Sequence, residues 1–340
     1  MISEEGLARR QIIQDLPKVE LHVHLEGSIQ PETLLQLASR YNISLPASDV
    51  AGLQEWFKFR DFNHFVEVYV AASKCIRKPE DLELIAEEFA RGQAAQNVLY
   101  TEAHFTAMTI FRYAGIPFDE QLDAISRGFA KVPESPVNLI LDIVRGFPVA
   151  EGEQIAQWCI DGLGKGVVGI GLSGFERTDP IAVHKHSFRA AKEAGLKCSA
   201  HAGETGGAPA IREALSDAYA DRIGHGVRCI EDGQLVKELR DKQIHLEINP
   251  TSNVSLGLYP SLAEHPLPIL MDEGLSVSIN SDDPPFFNTT LTDEWIRCAE
   301  EFQFSTDILY SLCQGAVNKS FLGDAKKSVL RKQISESWDS

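Results

Sequence analysis

Short runs of β-branched and other apolar residues recur along the chain, separated by longer stretches in which apolar positions return every three or four residues. Runs near Val19–His24, Val98–Phe105, Asn138–Arg145, Val167–Ser173, Lys197–Gly203, Arg222–Gly226, Ile244–Asn249 and Leu275–Asp282 predict eight strands. Several are almost continuously apolar, as parallel strands covered by helices should be. Between them, Pro79–Gln96, Asp119–Ala130, Glu151–Leu163, Pro180–Ala194, Ile211–Tyr219 and Glu231–Lys242 carry helical spacing. Eight strand-then-helix units in 340 residues fit a (β/α)8 TIM barrel better than a doubly wound sheet, with residues 1–340 as one domain.

The rhythm breaks once. About 75 residues separate the first strand from the second, and a long insertion at that point of a barrel sits over its mouth. Residues 28–97 are therefore expected to include a helical lid, with segments Pro31–Ser39 and Phe65–Ile76. Phe57, Phe59, Phe62 and Phe65 either wall an apolar pocket or pack the insertion onto the barrel, and packing is the simpler expectation for most of them. The tail beyond Ala325 reads as a solvated helix.

Composition narrows the partners. The chain has 32 basic against 49 acidic residues, a net charge of −17, so no basic excess exists to displace counterions from a nucleic acid. No apolar window reaches the roughly eighteen residues of a membrane span. The opening residues Met1 to Gly6 lack the basic-then-apolar pattern of a secretion signal. Six scattered cysteines without a Cys-x-x-Cys pair read as reduced, buried thiols. A cytoplasmic enzyme acting on a small molecule, with neither nucleic acid nor membrane as partner, is the expectation.

Chemistry in a barrel comes from the C-terminal ends of its strands. His22 and His24 lie two apart on the first strand, so both rings point the same way, as two nitrogen ligands of a divalent metal would. His201-Ala202-Gly203-Glu204 ends the fifth strand, offering a third nitrogen and a carboxyl group that enclosure can hold protonated. His225 follows on the sixth strand. Asp282 closes the eighth and would complete a His3Asp shell, with Asp283 beside it. Each motif also has a plain structural reading: a buried histidine, a helix-capping glutamate, an Asp-Pro turn. Their convergence from separate strands is what favours a site. His184 and His186 are expected on different, solvated faces of a helix, and His64, His245 and His265 as structural residues. Asn249-Pro250-Thr251-Ser252-Asn253 reads as a turn capping the seventh strand's loop, or as support behind the site.

Pro17-Lys18-Val19-Glu20-Leu21-His22-Val23-His24-Leu25-Glu26-Gly27, His201-Ala202-Gly203-Glu204, Arg222-Ile223-Gly224-His225-Gly226 and Ser281-Asp282-Asp283-Pro284 together resemble the adenosine/adenine deaminase family, in the same order and over roughly residues 15–325. The resemblance implies a metal-dependent hydrolase that removes the 6-amino group of an adenine ring, giving an inosine-type product and ammonia. It implies one divalent ion per chain, zinc foremost, held by His22, His24, His201 and Asp282. Iron or cobalt would also suit that ligand set. Glu204 matches the residue that protonates ring nitrogen N1, and His225 the one that orients or deprotonates the attacking water. Asp283 matches the acid facing N7, and Gly174 the glycine whose N–H meets N3. Glu26 stands where adenosine deaminases have an Asp contacting the ribose 5′-hydroxyl, as in adenine-type or aminodeoxyfutalosine-type branches. Gly224 departs from the Asp usual in adenine deaminases, His104 from a frequent Arg, and Pro285-Phe286-Phe287 from the usual nucleoside-enzyme sequence.

These features point to an adenosine-like nucleoside as substrate, with free adenine, an N6-substituted adenine or aminodeoxyfutalosine as alternatives. The deaminase architecture built on His-x-Glu and Pro-Cys-x-x-Cys is excluded, because no such cysteine pair exists. A binuclear amidohydrolase would need a bridging ligand, and the fourth strand ends in Gly171-Leu172-Ser173-Gly174 without one. A non-catalytic purine-binding protein would have no use for the proton donor.

Overall fold

A computed structural model describes residues 4–176 and 180–338. Eight strands, β1 (Lys18–His24), β2 (Val98–Phe105), β3 (Val137–Val144), β4 (Val167–Ser173), β5 (Lys197–Ala202), β6 (Arg222–His225), β7 (His245–Ile248) and β8 (Ser276–Ile279), pair in parallel in chain order. The barrel closes where Val23 bridges Asp282: His24 N–H donates to the Asp282 carbonyl at 2.8 Å, and Asp282 N–H to the His22 carbonyl at 3.2 Å. Helices follow each strand, so the architecture is the expected (β/α)8 barrel.

Strands β2 and β4 match their predicted runs, whereas β8 is four residues long and ends before Asp282. Side chains replace the missing ladder there. Asn280 Oδ1 accepts from Leu21 N–H at 3.0 Å, and Glu20 Oε1 accepts from Ser281 N–H at 2.8 Å. Asp282 itself adopts a left-handed backbone, φ 64°, which alternation of apolar residues could not signal.

The insertion after β1 runs through a short 3-10 turn, Glu26–Ser28, and helices Pro31–Arg40, Val50–Trp56, Phe62–Ser73 and Pro79–Ala95. Local chemistry starts them: Asp49 caps through Gly52 N–H, Asp61 through His64 N–H, and Asp81 accepts from Lys78 N–H below Pro79. The aromatic rings divide their work. Phe57 packs on Phe286 and Phe59 on Phe287, whereas Phe62 and Phe65 reach the cavity described below.

Other details differ from the sequence reading. His184 is buried, not solvated, because it lies in a 3-10 turn, Ile181–His184, that packs its ring against Gly152. The C-terminal helix, Asp324–Trp338, is solvated on one side only, with Leu330 and Ile334 buried. An unforeseen N-terminal helix, Glu4–Asp15, is held where the Arg9 guanidinium donates to the carbonyls of Ala299 and Phe304. No helix among the described residues is long and apolar enough to cross a membrane.

Below the mouth of the barrel the buried Arg222 bridges two carboxylates, donating to Glu247 Oε1 and Glu102 Oε2, each at 2.5 Å. An Arg222→Met substitution leaves both acids uncompensated, so chemical denaturation should show a loss of about 3–5 kcal/mol.

Candidate active site

At the C-terminal mouth of the barrel, β1, β5 and the segment after β8 bring four of the sequence-predicted residues to one point. His24 Nε2 lies 3.0 Å from His201 Nε2 and 3.5 Å from Asp282 Oδ1, and His22 Nε2 lies 3.4 Å from Asp282 Oδ1. All four residues are buried. The atoms behind the rings define which face carries the lone pair. His22 Nδ1 lies 2.7 Å from the Glu247 carboxylate, and His201 Nδ1 lies 2.7 Å from the Leu172 carbonyl. Both partners can only accept, so both Nδ1 atoms donate and both Nε2 atoms can turn lone pairs inward.

Burial holds His24 and His201 well below the usual histidine range. Burial also lowers His22, but its hydrogen bonds to Asp282 and Glu247 outweigh this and carry it up to about 10, so that without a cation a proton on Nε2 takes its place. The point between these residues therefore calls for positive charge. Imidazole lone pairs fixed by carboxylate and carbonyl partners, together with a carboxylate, are the donor set of a divalent transition metal, and the residues fit such an ion.

A cavity of about 170 Å³ opens beside this cluster. His24, His201, Glu204, His225, Asp282, Asp283 and Gly174 line its polar side, and Phe62, Phe65, Tyr69 and Phe147 its apolar side. Burial, then the nearby Asp282 and Glu176 carboxylates, push Glu204 well above the ordinary carboxylate range. Burial and the adjacent Asp282 do the same to Asp283. His225 Nε2 is 3.9 Å from both Glu204 Oε2 and Asp282 Oδ2. Glu26 stands apart from the others. It is buried outside the cavity lining, with Oε1 accepting from Thr106 N–H at 2.9 Å and from the Thr106 hydroxyl. Thr106 and Tyr69, not Glu26, form the wall there.

Two glycines make room for the site. A side chain at position 27 would collide with Asp283, its Cβ falling 1.6 Å from Oδ1, and a Cβ at position 224 would lie 2.7 Å from the His22 ring.

Several supporting residues escaped the sequence reading. Glu176 accepts from the N–H groups of Gly203, Glu204 and Thr205 at 2.7, 2.8 and 2.7 Å, fixing the turn that carries Glu204. Arg145 donates to the carbonyls of His201 and Gly174 at 2.6 and 3.1 Å. His104, noted only as a departure, packs among His22, His24 and His201 with Nδ1 2.7 Å from Asp142. The absent side chain of Gly171 leaves space for that Asp142. Glu247 carried a readable signal, as a carboxylate between Leu246 and Ile248 of the predicted seventh strand.

A family model described as adenosine deaminase matches residues 17–337, and the chain belongs to that family. It is 33% identical over 327 residues to an adenine deaminase from Vibrio parahaemolyticus, covering 95% of this chain and 96% of the relative. It is 36% identical over 338 residues to an aminodeoxyfutalosine deaminase from Streptomyces avermitilis, covering 98% and 94%. The solved structure of an amidohydrolase from Burkholderia ambifaria with bound zinc superposes with a TM-score of 0.90 at 26% identity, over 100% of this chain and 94% of that one.

The three hydrogen bonds to Glu176 generate a test. Glu176→Gln replaces one acceptor by a donor facing N–H groups, so kcat/KM should fall by about 10²-fold through misplacement of Glu204. Metal content, measured by elemental analysis, should stay unchanged.

Proposed function

We propose that this member of the adenosine deaminase family hydrolyses the 6-amino group of an adenine nucleoside, using one divalent ion, zinc first, held by His22, His24, His201 and Asp282. The observation that carries the reading is the placement of the buried Glu204 in the same cavity wall as His24, His201 and Asp282. Neither a binding protein nor a structural one needs a protonated acid beside a metal site.

The ion, when bound, supplies Lewis acidity that makes water a nucleophile near neutral pH. The chain's own residues do the rest. Attack at C6 breaks the aromaticity of the ring and moves electron density onto N1, where Glu204 delivers its proton. His225 holds the attacking oxygen over C6, and Asp283, kept protonated, donates to N7 on the far edge of the base. Gly174, with φ 88°, brings main chain close to the ring, where a larger residue would be strained. When the C6–N bond breaks, the amino nitrogen leaves as ammonia and C6 keeps the water oxygen. Of the two water protons, one leaves on ammonia and the other replaces the proton that Glu204 gave to N1.

For the group on N9, two features favour a nucleoside over the free base. The crowding of position 224 against His22 leaves no room there for the aspartate typical of adenine deaminases. The similarity to an aminodeoxyfutalosine deaminase over nearly the whole chain supports a 5′-extended nucleoside alongside adenosine itself. Free adenine is the second reading, favoured by the similar adenine deaminase.

Metal-replete protein should lower absorbance at 265 nm and release ammonia with adenosine, deoxyadenosine or aminodeoxyfutalosine. Faster turnover of adenine would select the second reading, and no reaction with any 6-aminopurine would end the deaminase assignment. In steady-state assays Glu204→Gln should cost about 10²–10⁴-fold in kcat while leaving the bound metal in place.

A further inference from the structure

We propose that His265 and Asn253 lock His225 with its proton on Nε2, so that His225 serves the attacking water as a hydrogen-bond donor and not as a base. The proposal rests on the deaminase reading for its reaction, but the proton's position follows from a chain of hydrogen bonds that begins at the main chain.

The backbone N–H of Leu267 can only donate, and it reaches His265 Nδ1 at 3.1 Å. Nδ1 of His265 is therefore an acceptor. Burial lowers the pKa of His265 to about 4, so the ring is neutral at working pH and its single proton sits on Nε2. That Nε2 lies 3.1 Å from Asn253 Oδ1, which accepts. The Asn253 amide is thereby oriented, and its Nδ2 faces His225 Nδ1 at 3.1 Å. An amide nitrogen only donates, so His225 Nδ1 must accept.

A second residue enforces the same answer independently. Asn249 Nδ2 donates to the Glu247 carbonyl at 3.2 Å, which fixes it as the nitrogen end, and it also faces His225 Nδ1, at 3.4 Å. With Nδ1 occupied as acceptor from two sides, the proton of a neutral His225 belongs on Nε2, the atom pointing at Glu204 and Asp282.

This is the reverse of the arrangement at His22 and His201, whose Nδ1 atoms donate and whose Nε2 lone pairs turn inward. One nitrogen or oxygen from each of His22, His201, His225 and Asp282 lies within 4.8 Å of the rest, so proximity alone does not separate ligand from neighbour. The tautomer does. A ring that presents N–H to the cluster cannot ligate a cation there, but it can hold the oxygen that becomes bonded to C6 and meet the negative charge it develops. A base role would need a free lone pair at Nε2, and the network places that lone pair at Nδ1. Asn253, Asn249 and His265 are accordingly positioning residues.

The test uses holoenzyme labelled with 15N at histidine. Two-bond nitrogen–proton NMR correlations, with His225 assigned by its loss in a His225→Gln variant, should show Nε2 protonated and Nδ1 bare. Asn253→Asp keeps the shape and still accepts from His265, but it turns a donor to His225 into an acceptor. In that variant the proton should move to Nδ1, and kcat should fall about 10²–10³-fold, the loss typical of one misaligned transition-state donor, with KM little changed. His265→Gln, which can still donate to Asn253, should keep the wild-type tautomer, whereas His265→Leu should not. An active wild-type enzyme with the His225 proton on Nδ1 would overturn the proposal, even if the variants fail to fold. An Nε2–H signal in a protein that deaminates nothing would instead overturn the functional reading and leave the relay standing.

Discussion

The site depends on an electrostatic imbalance built into the barrel mouth. Lone pairs of buried imidazoles and the Asp282 carboxylate are aimed at one point, and such groups repel unless a cation is shared among them. The fold supports that imbalance from behind. Arg222 is placed between Glu102 and Glu247, Glu247 orients His22, and the Leu172 carbonyl orients His201. Charge thus alternates from the lower barrel to the mouth: arginine, glutamate, histidine, then the position that calls for a cation. Removing Glu247 or shifting the Leu172 carbonyl would be felt at the mouth, because the Nε2 lone pairs of His22 and His201 turn inward only while their Nδ1 atoms are engaged.

Backbone strain sits at the same place. His225 and Asp282 both have positive φ, 60° and 64°, in conformations that side-chain-bearing residues seldom adopt. His225 ends β6 and Asp282 follows β8 by three residues, where the chain must turn a side chain across the barrel mouth and not along its wall. The close approaches of Gly27 to Asp283 and of Gly224 to His22 express the same crowding. Polar groups from five strands or strand ends are compressed around the cavity, and at positions 27 and 224 that compression leaves no room for a side chain.

How much of this was legible in the sequence follows from which signals are periodic. Hydrophobic spacing marks strands such as β2 and β4 to the residue, because both faces of a parallel strand are buried and its ends are abrupt. It overextends β8, where Asn280 and Ser281 continue the pairing through side chains. His22, His24, His201 and Asp282 were readable because chemistry at strand ends has few other uses for those residue types in register. Glu176, Arg145 and the His104–Asp142 pair were not, since each acts on main chain or on a neighbouring ring across the barrel, and neither spacing nor residue type records which strand will stand opposite. His265 is the clearest case. Alone it resembles a structural histidine, and only the contact with Asn253, 12 residues away in sequence, connects it to His225.

The two walls of the cavity differ in origin. The polar wall of the cavity is assembled from strand ends, whereas the apolar wall takes Phe62, Phe65 and Tyr69 from a helix of the insertion. Those residues are anchored to the barrel through rings: Phe65 stacks on Phe287 at 5.6 Å, and Tyr69 meets His24 edge-on at 6.0 Å. Behind this wall the Tyr69 hydroxyl interacts with the buried Glu26 carboxyl, which ties the helix to the turn after β1. On the proposed function, the chemistry of the 6-amino group is thus tied to the barrel, and discrimination between substrates to a helix that meets the candidate ligands only through the Tyr69–His24 ring contact.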